Sequence, residues 1–146
     1  MAANPSSGAT PATTVARALI EAYDRGAIDD AVALYAPDGV HEDVAQQSRK
    51  QGADAIARGL GGLLRAVPDA RWRVDVLAGD ETTAAVAYVM EGTLQARLGP
   101  FEPRGQAINL EGLLLISVDE GRISRSRDYW DSGTLGRQLA GGDAAA

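Results

Sequence analysis

The chain's only histidine, His41, is followed directly by Glu42 and Asp43 in the stretch GVHEDVA. Imidazole titrates near neutral pH, and a carboxylate joins it there when burial raises its pKa, so this stretch is a candidate for moving protons. Another acid, Asp128, lies in SRSRDYWD, and Glu91 ends the small apolar run AAVAYVM. If Asp43 and Asp128 line one cavity, the chemistry is general acid–base catalysis. Two close carboxylates do not readily ionise together, so one works as base while the other stays protonated as acid. His41 would then orient a water or relay a proton, and Glu91 is a possible third participant. Glu111, between Leu110 and Leu113, reads as mostly structural.

Other chemistries find little support. The 146 residues include no cysteine and one histidine, which excludes thiolate nucleophiles and leaves too few ligands for a zinc site. No nucleophilic triad, phosphate loop or dinucleotide fingerprint is present, and no cofactor is expected. A formal net charge of −6 with scattered basic residues argues against a nucleic acid partner. No apolar run is long enough to cross a bilayer. The first 13 residues, rich in Pro, Ser, Ala and Thr, read as a disordered lead-in without the features of a secretory signal. GGDAAA, residues 141–146, reads as a flexible tail, leaving a single cytoplasmic domain over residues 14–140.

The elements that must position these acids follow from periodicity. Val15, Ala18, Leu19, Ala22 and Tyr23 recur at helical spacing after a Thr14 cap. A short helix from Asp29 or Asp30 through Tyr35 stops at APDGV, and a strand, weakly signalled, carries His41. QQSRKQG reads as a polar loop. Ile56, Leu60, Leu63, Leu64 and Val67 mark a third helix over residues 54–67, although Gly59, Gly61 and Gly62 weaken it. After Pro68 the period falls to two: Trp72, Val74 and Val76 alternate with polar residues, and three further strands and a short terminal helix follow. Helices segregated from an antiparallel sheet define an α+β domain, with the sheet curved around the helices to leave a concave apolar pocket.

Strand parity then assigns faces. His41 and Asp43 share one face and Val40, Glu42 and Val44 the other; hydrophobicity alone would bury the valines and leave His41 and Asp43 in water. On the last strand Ser124, Ser126, Asp128 and Trp130 share a face suited to a pocket wall. Ile123, Arg125, Arg127 and Tyr129 share the other, where Arg125, Arg127 and the Tyr129 hydroxyl suit a surface or subunit face. Trp72, Trp130, Leu110, Leu113 and Tyr35 are the candidate lining of a substrate pocket.

From about Val15 to Leu139 the chain resembles the nuclear transport factor 2-like superfamily, which includes ketosteroid isomerases, limonene-type epoxide hydrolases and SnoaL-like polyketide cyclases. ALYAPDGVHEDV looks like the isomerase segment in which Asp43 takes the place of the catalytic base. In the epoxide hydrolases His41 and Asp43 occupy places that hold the attacking water. EGRISRSRDYWD is similar to the epoxide hydrolase strand whose catalytic aspartate corresponds to Asp128, and GTLQARLGPFEPRGQ with DSGTLGRQLA looks like the SnoaL-like pattern. The resemblance therefore turns Asp43 inward, implies a cone-shaped α+β fold, a small polyketide- or terpenoid-like substrate, and a homodimer. The chain departs from each subfamily's full set: Leu19 and Leu113 stand at the isomerase's oxyanion positions. Glu91 and Thr93 stand at the epoxide hydrolase's Arg and second Asp, and Leu94 at the cyclase's histidine. Proton-transfer cyclisation or isomerisation is expected, with epoxide opening or non-catalytic ligand binding as alternatives.

Overall fold

A computed structural model describes residues 9–141. The elements run α1 Pro11–Arg25, α2 Ile28–Ala33, β1 Tyr35–Asp43, β2 Ser48–Gln51, α3 Ala53–Ala66, β3 Arg71–Gly79, β4 Thr83–Thr93, β5 Ala107–Asp119, β6 Arg122–Trp130 and α4 Ser132–Gly141. Residues 1–8 and 142–146, parts of the expected lead-in and tail, lie outside the described residues. α1 starts earlier than the Thr14 cap implied. The Thr10 hydroxyl accepts from the Thr13 amide at 3.1 Å, Thr13 Oγ1 accepts from the Thr10 amide at 2.7 Å, and Pro11 occupies the first turn.

Six strands form one sheet in the order β2-β1-β6-β5-β4-β3. The sheet is not wholly antiparallel: β1 and β6 run parallel, with His41 opposite Ser126 and Asp43 opposite Asp128. QQSRKQG is not all loop, because Ser48–Gln51 pairs with β1 as an antiparallel edge strand, His41 opposite Lys50. Tyr35 belongs to β1 rather than to the second helix.

Two bulges reverse the strand parity read from sequence. The register shifts between Val74 and Val76, so Trp72 is buried at 9 % exposure while Val76 turns outward at 58 %. A second shift opposite Ser117 and Val118 buries Ile123 and exposes Ser124, the reverse of strict alternation. Beyond that bulge Ser126, Asp128 and Trp130 share the inner face.

The core lies between the inner face of the sheet and α1. Ala12, Ala16, Leu19 and Ile20 of α1 are buried in one cluster with Val86 of β4 and Leu114 and Ile116 of β5. Each fully buried Leu or Ile contributes about 1.5–3 kcal/mol, and Leu19→Ala would cost about 2–5 kcal/mol. The last turn of α1 is tied to the sheet by Asp24. It accepts from Arg71 Nε at 2.7 Å and from the Trp72 amide at 2.9 Å, which sets Trp72 in place.

Candidate active site

Toward the other end of the sheet α3 stands off from the strands, and a cavity of about 210 Å³ remains. Leu60 and Leu63 of α3, Met90 of β4 and Leu110 of β5 make much of its apolar wall. Tyr23 and Trp72 add a tilted aromatic pair, with ring centroids 5.4 Å apart. Trp130 and Leu135 bound the side near α4.

The polar wall comes from β1, β2 and β6. Their register places His41 and Asp43 beside Ser126 and Asp128 on one face, a two-by-two grid. His41, Asp43 and Asp128 all line the cavity, as do Trp72, Trp130 and Leu110. His41 and Asp43 are both half-buried, while Val44 is 37 % exposed, so hydrophobicity alone misassigned this strand. Val40, by contrast, is buried.

Three expected residues sit elsewhere. Glu91 is exposed on the outer face, paired with Arg73 at 3.4 Å, because inward positions of β4 are Val86, Tyr88 and Met90. Leu113, 39 % exposed, has opposite parity to Leu110 and also faces outward. Tyr35 is buried behind the wall and reaches the site through Ser126, its hydroxyl 2.6 Å from Ser126 Oγ. Leu19 and Leu94 are fully buried core residues outside the cavity lining.

The sequence reading passed over Tyr88 and Lys50. Tyr88 donates to Asp128 Oδ1 at 2.7 Å, and its ring end lies over Gly112 of β5, where a methyl group would collide with it. The signal was parity: Tyr88 shares its face with Val86 and Met90, and Gly112 is directly opposite. Lys50 lies across the strand pair from His41, its stem passing over α3 so closely that a Cβ at Gly59 would fall 2.5 Å from Cε. That close approach accounts for one of the glycines that weaken the third helix in sequence.

Burial pushes the Asp128 carboxyl up to about 7; the Tyr88 hydrogen bond opposes this and the charge of Asp43 adds to it. Burial holds His41 below its usual pKa. Asp43 works against that, and Lys50 reinforces it. Near neutral pH the cavity therefore presents an imidazole held toward its neutral form and a carboxyl poised to gain or lose a proton. Asp43 Oδ1 accepts from the Gln46 amide at 3.1 Å, which anchors it in the turn after β1. No group of three His, Cys, Asp or Glu side chains among the described residues is placed to hold a metal ion. No helix among them is long and apolar enough to cross a membrane.

An open sheet wrapped over helices, with an apolar cavity carrying a titrating carboxyl in its wall, defines a cone-shaped α+β protein of the nuclear transport factor 2-like class. Residues 13–139 match the family model of SnoaL-like polyketide cyclases, and the chain belongs to that family. A candidate polyketide cyclase from Xanthomonas campestris is 28 % identical, with 89 % of this chain and 95 % of that one covered and a TM-score of 0.73. A second candidate polyketide cyclase, from Pseudomonas putida, is 23 % identical over 90 % and 99 % of the two chains, with a TM-score of 0.77. An LEH-like epoxide hydrolase from M. tuberculosis shares the fold at 22 % identity and a TM-score of 0.72, over 92 % and 93 % of the chains. No curated protein matches the chain in sequence.

Proposed function

We propose that this chain is a cofactor-independent acid–base enzyme that cyclises or isomerises a small, largely apolar polyketide- or terpenoid-like carbonyl compound. The observation that carries this reading is Asp128: a carboxyl in the wall of an apolar cavity, poised to gain or lose a proton at neutral pH and held by Tyr88. As carboxylate it removes a proton from the carbon next to the carbonyl, and the electron pair moves onto oxygen as an enolate. In cyclisation the enolate carbon then attacks a second carbonyl of the same molecule. A carbon–carbon bond forms, and Asp128 returns its proton to the new alkoxide. In isomerisation the same proton returns to a different carbon. Asp43, opposite Asp128 in the register, keeps Asp128 basic through its charge.

Exchange of the α-hydrogens of aryl ketones in D2O, followed by proton NMR, tests the first half of this reaction. Wild-type protein is expected to accelerate exchange and Asp128→Asn to abolish it while folding normally. Full activity in the variant removes Asp128 from the mechanism, and unchanged ligand binding with no turnover in either protein favours a binding module.

Epoxide opening by activated water is the second reading, favoured by the raised pKa of Asp128, which lets it hold a proton near neutral pH and act as acid toward an epoxide oxygen. Asp43 would then serve as base on the water. Conversion of a simple epoxide to a diol carrying oxygen from H2(18O) separates this reaction from cyclisation.

A further inference from the structure

Behind the polar wall runs a hydrogen-bond chain for which the acid–base reading has no use. Ser126 is fully buried, and its hydroxyl lies between the Tyr35 hydroxyl at 2.6 Å and His41 Nδ1 at 2.7 Å. Its single proton serves only one of the two. A phenol is a better donor and a poorer acceptor than an aliphatic hydroxyl, and a neutral imidazole nitrogen is a stronger acceptor than either oxygen. The chain therefore runs from Tyr35 to Ser126 to His41 Nδ1. Burial raises the Tyr35 pKa to about 12, which keeps the proton on the phenol and available to Ser126, with the Tyr23 hydroxyl bonded to Tyr35 behind it.

An imidazole that accepts at Nδ1 carries its proton on Nε2. That nitrogen has no hydrogen-bond partner among the described residues, and His41 lines the cavity. Lys50, across the strand pair, opposes a second proton on the ring, while Asp43 and Glu42 favour one; burial outweighs them.

We propose that His41, locked by Ser126 and Tyr35 as the neutral Nε2–H tautomer, donates a hydrogen bond to the substrate's carbonyl oxygen, so that the cavity takes ketones whose α-carbon faces Asp128. The proposal rests on the reading of Asp128 as the base. His41 and Asp128 are diagonal neighbours in the grid, which sets their Cβ atoms roughly 8 Å apart from strand rise and spacing. With both side chains rising in parallel from the sheet, that separation is of the same order as a hydrogen bond of about 2.8 Å, a carbonyl oxygen-to-α-carbon span of about 2.4 Å and a proton-transfer distance of about 3 Å laid end to end. A neutral imidazole suits the task, because it stabilises an enolate without competing with Asp128 for the proton.

Because His41 is the only histidine, the protein gives a single imidazole signal in a two-bond proton–nitrogen correlation spectrum. At pH 8 the expected pattern has a protonated Nε2 coupled to both ring protons, and Ser126→Ala shifts it toward a mixture of tautomers. A protonated Nδ1, or averaged shifts in the wild type, overturns the lock without needing any variant. With α-tetralone as probe, His41→Leu is expected to lower kcat for α-hydrogen exchange about 10²–10³-fold. KM should change little, and His41→Gln, which keeps an N–H donor, should recover part of the loss. Wild-type kcat in His41→Leu overturns the donor role, and no exchange of α-tetralone by wild-type protein overturns the ketone class. An intact Nε2–H pattern together with a fully active Asp128→Asn instead refutes the reading of Asp128 as base.

Discussion

Asp128→Asn should make the protein more stable as well as inactive, and the gain should depend on pH. The carboxyl titrates near 3.9 in an unfolded chain and at about 7 in the folded one. Between those values the folded state holds a proton that the unfolded state has released. The contribution of this group to stability is therefore full below about pH 4 and is lost as pH rises through 7. A rise from 3.8 to about 7 corresponds to about 4 kcal/mol. Solvent screening at a carboxyl that is only half-buried reduces this to about 2–4 kcal/mol. Asparagine keeps the shape and still accepts from Tyr88, but is never charged. Other carboxylates, such as Asp24 with its lowered pKa, titrate equally in both proteins and cancel in the difference. At roughly 3 °C per kcal/mol for a chain of this size, the variant should melt about 6–12 °C above the wild type at pH 8.5. At pH 4 the two should nearly coincide. Thermal unfolding by circular dichroism at the two pH values measures this directly. A variant equal to or less stable than the wild type at pH 8.5 would show that Asp128 is not held against its own ionisation, and the acid–base argument would fall with it.

Tyr88→Phe removes a hydrogen bond to a charged group worth about 1.5–3 kcal/mol, so the rising limb of kcat/KM should move from about pH 7 to about 8–9. A limb that stays in place would show that Tyr88 does not tune Asp128. Gly112→Ala should act on the same bond from the other side by driving the Tyr88 ring away. It is expected to cost about 1–3 kcal/mol in urea unfolding and to shift the pH profile in the same direction, whereas an unshifted profile would mean the ring keeps its bond. Val76 and Leu113 stand exposed on the outer face of the sheet, where a second copy would pack. Sedimentation should find a dimer that Val76→Lys converts to monomers with α-hydrogen exchange retained; a monomeric wild type would dismiss that face as an interface.

The helices were legible because their apolar residues recur at 3.6 spacing on long segments, and α1 and α3 differ from expectation only at their ends. The strands were legible as strands, less so as faces. Strict alternation placed Val76 and Ser124 inside, and a single bulged residue in each strand reverses both. The polar edge strand β2 carries no apolar pattern, since its four residues are Ser, Arg, Lys and Gln and the one that lines the cavity, Lys50, is charged. Asp43 and Asp128 stood out as acids, whereas Tyr88 was hidden inside a run that reads as core. Leu110 and Leu113 are both apolar on one strand, but an odd spacing puts them on opposite faces, Leu110 in the cavity wall and Leu113 outside. Strand parity puts Ser126 on the pocket side, but nothing in a one-dimensional pattern shows that it touches His41, 85 residues away.

That separation has a consequence for how the protein comes into being. β1 is made early in synthesis, yet its neighbour in the sheet is the last strand, β6. Until β6 leaves the ribosome, His41 and Asp43 have only β2 beside them, Asp128 is not there for Tyr88 to bond, and the edge of β5 is open to misplaced strands. Contacts this distant along the chain close slowly. The juxtaposition of Asp43 with Asp128 on which the proposed chemistry depends is therefore completed only when the final strand takes its place between β1 and β5.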